Sequence, residues 1–209
     1  MSFFTTEQHF NVIDPSMIKR CIDDYYSNST FETDTMNKAD TKNVLGLLTP
    51  MIENTLRKKL MYTGGNYYKH NKPYLPHTDY KTYEDNTLNV VIPLSYTSSQ
   101  PSLIIFDQKW ELDSVTWCMH LPVQYFRYNI GVKGCPAEYP VIGLTDKEID
   151  NELYINYLNH FPKQLLRGLS GTVFPFEVGS ILVFDNRYIH CTSKLDGEKL
   201  GISLRFKIL

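Results

Sequence analysis

The sequence predicts a mainly β fold with supporting helices, an antiparallel sandwich or barrel, on three observations. From Tyr62 onward, short apolar runs are separated by turn residues at the spacing such folds show. Alanine occurs only at positions 39 and 137, against 15 tyrosines and 11 phenylalanines, a balance that favours sheet over helix bundle. The last stretch, Phe176 to Leu209, reads as three short strands, with His190 on the middle one and Arg205 on the last.

The 209 residues suit one domain, 1–209, with supporting helices in 1–61, core strands in 62–106 and 172–209, and an insertion at 107–171. Asp14-Pro15 opens a helix, because the carboxylate caps free amides and proline fits the first turn. Met17, Ile18, Cys21, Ile22 and Tyr25 then recur at helical spacing to about Ser27. Residues 28–40 are polar and read as an exposed loop. Thr49-Pro50 repeats the opening, and Met51, Ile52, Leu56 and Leu60 mark a second helix.

Gly64-Gly65-Asn66 reads as a turn, followed by strand-type residues from Tyr67 to His70. In the segment Tyr74 to Tyr80, strand alternation puts Leu75, His77 and Asp79 on one face. Leu88 to Leu94 and Ser102 to Phe106 are the next two strands. In the insertion, Val115 to His120 reads as one more strand. Thr145-Asp-Lys-Glu148 is a capping box before Ile149, Leu153, Tyr154, Tyr157 and Leu158 at helical spacing. Trp110, Trp117 and the run Tyr125 to Tyr128 suit either a core or a pocket wall. Long insertions on a rigid sheet tend to carry substrate-binding surface. Strands over Thr172 to Phe176, Ser180 to Phe184, Tyr188 to Cys191 and Gly201 to Ile208 close the core.

His77-x-Asp79 on a strand places an imidazole and a carboxylate on the same face, about 7 Å apart along the chain. A second imidazole from another strand, His190, completes two histidines and a carboxylate on one side of a metal. That set leaves three positions open, the arrangement for non-haem Fe(II) and oxygen chemistry, and zinc with one open position fits it too. On the last strand Gly201, Ser203 and Arg205 share a face, and Ile202, Leu204, Phe206 and Ile208 share the other. The apolar set packs against helices, so Ser203 and Arg205 point into the barrel. A guanidinium directed into an apolar interior requires an anion there, and with a neighbouring hydroxyl it suits a carboxylate.

His77-x-Asp79, the run Val-Gly-Ser-Ile-Leu-Val-Phe-Asp-Asn-Arg-Tyr-Ile-His190 and Arg205 fifteen residues on resemble the Fe(II)- and 2-oxoglutarate-dependent dioxygenases. The resemblance covers roughly 62–209 and implies a double-stranded β-helix, the jelly-roll or cupin-like barrel. It implies that His77, Asp79 and His190 bind Fe(II), and that Arg205 with Ser203 holds the distal carboxylate of the cosubstrate 2-oxoglutarate. Asn89, Tyr67 and Lys69 are the early-strand residues it offers as further cosubstrate contacts. The implied reaction consumes O2, releases succinate and CO2, and hydroxylates a small-molecule or amino-acid-like substrate. The alternatives are a cupin-type zinc hydrolase or isomerase and a binding module without catalysis.

Composition narrows the partners. A formal net charge of −2, with no basic stripe, argues against nucleic acid, and no window approaches a membrane span. The four cysteines are scattered, with no Cys-x-x-Cys pair, which points to a reducing compartment and a cytoplasmic location.

Overall fold

The computed structural model describes residues 5–28, 31–33, 36–74, 76–79, 87–109, 143 and 145–209. Its strands are β1 (Glu7–His9), β2 (Phe31–Thr33), β3 (Met36–Ala39), β4 (Leu60–His70), β5 (Thr87–Tyr96), β6 (Ser102–Lys109), β7 (Gly171–Pro175), β8 (Ile181–Asp185), β9 (Tyr188–Thr192) and β10 (Lys199–Ile208). They form a seven-stranded sheet in the order β1-β8-β5-β10-β4-β3-β2 and a three-stranded sheet in the order β7-β6-β9. All pairings are antiparallel, and the two sheets face each other as the halves of a jelly roll. The predicted β class with supporting helices is the observed one.

Helices α1 (Pro15–Ser27) and α2 (Lys42–Leu56) cover the outer face of the large sheet. Asp14 caps α1 as its position suggested, its carboxylate accepting from the amides of Ser16 and Met17. The helices bury Met17, Cys21, Tyr25, Val44, Leu48 and Ile52 against Leu88, Val90, Ile92, Ile202, Leu204 and Phe206. Each fully buried aliphatic side chain contributes about 1.5–3 kcal/mol.

Three local expectations change. α2 begins at Lys42, and Pro50 lies inside it. A proline ring crowds the carbonyl four residues back; here that residue is Gly46, whose missing side chain leaves open space. Leu60 belongs to β4, so the second helix stops short of it. Within the stretch 28–40, read as loop, β2 and β3 pair antiparallel, and β3 lies on the edge of β4. Gly64-Gly65-Asn66 is not a turn but the middle of β4, an eleven-residue strand. A side chain at Gly65 would meet the Ser203 carbonyl oxygen at 2.5 Å and Leu204 Cα at 2.9 Å, so glycine there answers to close backbone approach.

The described part of the insertion also has a different place from the one expected. Asp150, rather than Thr145, caps a short helix α3 (Asn151–Leu153) that runs on as a π-helical turn to Leu158. Its apolar residues Ile149, Leu153, Leu158 and Phe161 pack on Ile104, Phe106, Ile189 and Cys191, the outer face of the small sheet. Residues 145–169 therefore close a second core rather than shaping the interior. The strand expected over Val115 to His120 and the aromatic residues from Trp110 to Tyr128 lie outside the described residues.

Candidate metal centre

His77, Asp79 and His190 meet between the two sheets, with one ligand-type atom from each inside 4.8 Å of the others. His190 stands on β9. His77 is held by a single antiparallel bridge rather than by a strand: its amide donates to the His190 carbonyl at 2.9 Å, and the His190 amide returns the bond at 2.8 Å. Main chain thus fixes the two imidazoles to each other before any metal arrives. Leu75, expected on the same face as His77 and Asp79, lies outside the described residues, as does Tyr80.

The remaining contacts aim the ligands. The His190 ring bonds the Tyr188 carbonyl through Nδ1 at 3.0 Å, so Nδ1 carries the proton and Nε2 is the lone-pair nitrogen, 3.6 Å from Asp79 Oδ2. His77 Nε2 lies 3.8 Å from Asp79 Oδ1. Asn89 on β5 donates from Nδ2 to Asp79 Oδ2 at 3.0 Å. Burial pushes the Asp79 carboxyl up, but His190, His77 and Arg205 outweigh it and hold it well below the usual carboxylate range. It is therefore an anion at neutral pH and a ready ligand. Two imidazole nitrogens and a carboxylate converging from one side fit a divalent transition metal with open positions on the other.

The triad opens into a cavity of about 340 Å³. Strand pairing decides which residues reach it. Along β10, Leu200, Ile202, Leu204 and Phe206 join the helix-facing core, while Lys199, Ser203 and Arg205 line the cavity. Their register partners on β4 share their faces: His70 opposite Lys199, Tyr68 opposite Gly201, Asn66 opposite Ser203 and Gly64 opposite Arg205. Ser203 and Arg205 accordingly stand on the interior side.

Tyr67 and Lys69 do not. Tyr67 is buried under the helices and donates to Asp24 Oδ2 at 2.9 Å, and Lys69 pairs with Glu198 at 2.9 Å. The physical reason is register: β4 runs unbroken through the glycines, and an extra residue, Thr63, bulges opposite the Arg205–Phe206 step. That leaves Asn66, Tyr68 and His70 facing the cavity. Tyr67→Phe is expected to cost about 1 kcal/mol in a denaturant melt, through loss of the bond to Asp24. Binding of any cavity ligand, followed by calorimetry, should stay as in the parent. Asn89 is in the site, but as the group that orients Asp79.

Lys199 escaped the sequence reading because its strand was expected to start at Gly201. Its ammonium is 2% exposed, donates to Thr192 Oγ1 at 2.9 Å and lies 5.1 Å from the Phe176 ring and 5.6 Å from Tyr68. No carboxylate pairs with it among the described residues, and burial lowers its pKa to about 7. The signal available in the sequence was a lysine two residues before Gly201, on the same face by alternation as Arg205. His70 lines the cavity but is not in the triad. It is buried, neither ring nitrogen has a hydrogen-bond partner among the described residues, and burial lowers its pKa to about 3. His160 lies elsewhere, against Phe161.

No family model matches this chain, and no curated protein does. Solved structures do. HygX from Streptomyces hygroscopicus, with nickel and 2-oxoglutarate bound, superposes with a TM-score of 0.56 at 13% identity, over 97% of this chain and 82% of that one. An oxidoreductase of the 2OG-Fe(II) oxygenase family from Burkholderia pseudomallei gives 0.56 at 11% identity, over 97% and 84%. The fold is that of the 2-oxoglutarate oxygenases. The epimerase SnoN of nogalamycin biosynthesis shares it too, at a TM-score of 0.54 and 12% identity, over 97% of this chain and 78% of that one. Likeness at this identity speaks to the double-stranded β-helix alone, and the chemistry rests on the residues above.

Proposed function

We propose that this chain is an Fe(II)- and 2-oxoglutarate-dependent oxygenase, with His77, Asp79 and His190 as the iron ligands. The observation that carries the reading is the pairing of that triad with a buried ammonium, Lys199, in one cavity. A charge removed from water without a counter-ion costs several kcal/mol. An anionic ligand that arrives with the metal offsets that cost, and 2-oxoglutarate is such a ligand. A zinc hydrolase of the same fold needs an open metal position and a water, but gives the ammonium nothing to do. A binding module without catalysis leaves the aimed triad unexplained.

When bound, Fe(II) supplies oxygen activation coupled to oxidative decarboxylation of 2-oxoglutarate to succinate and CO2. The chain's own residues bind and orient. Asn89 and the Tyr188 carbonyl hold Asp79 and His190 in their ligating orientations. Lys199 and Thr192 would receive the distal carboxylate through a charge-assisted bond and a hydroxyl. The sequence reading gave the carboxylate to Arg205; the buried Lys199, which has no counter-ion among the described residues, is the better fit. Val91 and Leu103 form an apolar wall that limits water around the metal.

Hydroxylation of a small-molecule or amino-acid-like substrate is the outcome we assign. Relatives of this fold include a carbocyclase, SnoK, beside the epimerase. Product analysis by mass spectrometry separates these outcomes, since only hydroxylation adds an oxygen atom. A cytoplasmic location accords with the two described cysteines, Cys21 and Cys191, which are buried free thiols. Among the described residues no helix is long and apolar enough to cross a membrane.

The test is anaerobic titration with Fe(II) and 2-oxoglutarate. A weak visible metal-to-ligand charge-transfer band should grow to one equivalent, and admitting air should release succinate. A protein that binds zinc, shows no band and forms no succinate would refute the assignment.

A further inference from the structure

Charge in the cavity is unbalanced in a way the metal and cosubstrate do not correct. Among the described residues, Lys38, Lys199 and Arg205 line it, against Asp79 as the single acidic group. The imidazoles of His77 and His190 are neutral as metal ligands. A dication and the dianion of 2-oxoglutarate cancel each other, so the lining keeps an excess of two positive charges. Lys199 satisfies the one distal carboxylate that 2-oxoglutarate has. Among the described residues, Asp79 is the one acidic group that lines the cavity with Arg205, and its charge is committed to the metal.

Position separates the two cations. Lys199 and Arg205 emerge on the same face of β10 six residues apart, about 20 Å along the strand. Arg205 sits in register with Asn89, the residue that holds Asp79, so its guanidinium stands on the Asp79 side of the triad. Its place is built. The guanidinium lies over Gly64, where a Cβ would come within 3.1 Å of Nη2. Ser203 and Asn66 face each other across the next pair of the ladder. Arg205 is half-buried, whereas Lys199 is sealed.

We propose that Arg205 is the substrate's anchor: the substrate of this site carries an oxyanion, a carboxylate or a phosphate, that pairs with the Arg205 guanidinium while 2-oxoglutarate occupies Lys199. This rests on the oxygenase reading above. A planar fork of donors suits a two-oxygen contact, which also fixes orientation at the metal. Lys38 adds long-range attraction for the same charge. A neutral substrate of the same shape leaves the guanidinium desolvated and unpaired, so the site discriminates by charge.

The test uses protein loaded with Mn(II) and saturated with 2-oxoglutarate, with inorganic phosphate or acetate as the probe. Paramagnetic broadening of the 31P or 13C resonance reports an anion held close to the metal while Lys199 is occupied. Wild-type protein should broaden at least one probe in a saturable manner. Arg205→Met should reduce that broadening at least tenfold, and Arg205→Lys should keep part of it. In the anaerobic charge-transfer titration, Arg205→Met should change 2-oxoglutarate affinity less than threefold, which also shows that the variant is folded. Phosphate broadening without acetate broadening assigns a phosphate-bearing substrate, and the reverse a carboxylate. The proposal is overturned by broadening that persists in Arg205→Met, by no broadening in wild type, or by a tenfold loss of 2-oxoglutarate affinity in the variant. A wild-type protein that forms no charge-transfer band at all fails the oxygenase reading itself, and that is read before either probe is added.

Discussion

Lys199→Met is expected to abolish 2-oxoglutarate binding while leaving the unliganded protein more stable than the parent. Two opposite effects have one cause. Lys199 is 2% exposed, with a threonine hydroxyl and two aromatic rings around its ammonium but no carboxylate among the described residues. An apolar side chain of similar length removes a desolvated charge and keeps the packing on Phe176 and Tyr68. With 2-oxoglutarate present, the same substitution strands a buried carboxylate. Truncating one partner of such a pair costs about 2–5 kcal/mol, roughly 30-fold to several-thousand-fold in affinity.

The pH dependence carries the same signature. The folded-state pKa of Lys199 is lowered to about 7 from its ordinary 10.5. Between those values the unfolded chain binds more protons than the folded one, so stability of the unliganded parent should rise with pH from about 7 to about 10.5 and then level. Binding needs the charged form, so 2-oxoglutarate affinity should fall as pH rises above about 7, by at most tenfold per unit. Lys199→Met should lose both slopes. Denaturant melts and charge-transfer titrations across this range check them. A variant that binds 2-oxoglutarate like the parent would return the distal carboxylate to Arg205.

Neighbouring strands of the large sheet differ in how openly the sequence declares them. β10 was legible because Ile202, Leu204 and Phe206 meet helices on one side while Ser203 and Arg205 meet a cavity on the other, and alternation of two faces with different solvents leaves a period in the sequence. β4 was not. Its glycines imitate a turn, and only pairing with β10 shows that they sit in mid-strand, one under the Arg205 guanidinium and one under the Leu204 backbone. Tyr67 and Lys69 were named by residue type in a strand whose faces the sequence left open, and only the pairing with β10 puts Tyr68 and His70 on the cavity side. The triad was legible for a different reason: metal ligation fixes residue types as well as spacing. The covering role of residues 145–169 was hidden, because an amphipathic helix shows that it has an apolar side but not which sheet face it meets.

His190→Ala should remove metal binding without unfolding the protein, and the reason lies in the main chain. The bridge that sets His77 beside His190 runs between amides and carbonyls, so alanine keeps both bonds at 2.9 and 2.8 Å. Ile105 opposite position 190 and the neighbouring Ile189 and Cys191 keep the strand in its register. The side chain itself is the only imidazole that β9 offers the metal, and Asp79 has it 3.6 Å away. With one nitrogen gone, a two-donor site remains. The loss should exceed the roughly 10–100-fold that removal of an outer hydrogen-bond partner of a ligand costs. Asn89→Ala is the matched control for that smaller effect, since Asn89 touches Asp79 and not the metal position. Fe(II) affinity measured by competition with a chromophoric chelator should therefore rank parent, Asn89→Ala and His190→Ala in descending order. Thermal melts of the unliganded proteins should stay within a few degrees of one another, apart from the cavity that the alanine leaves beside Phe184. Equal Fe(II) affinity in parent and His190→Ala would move the metal off this triad.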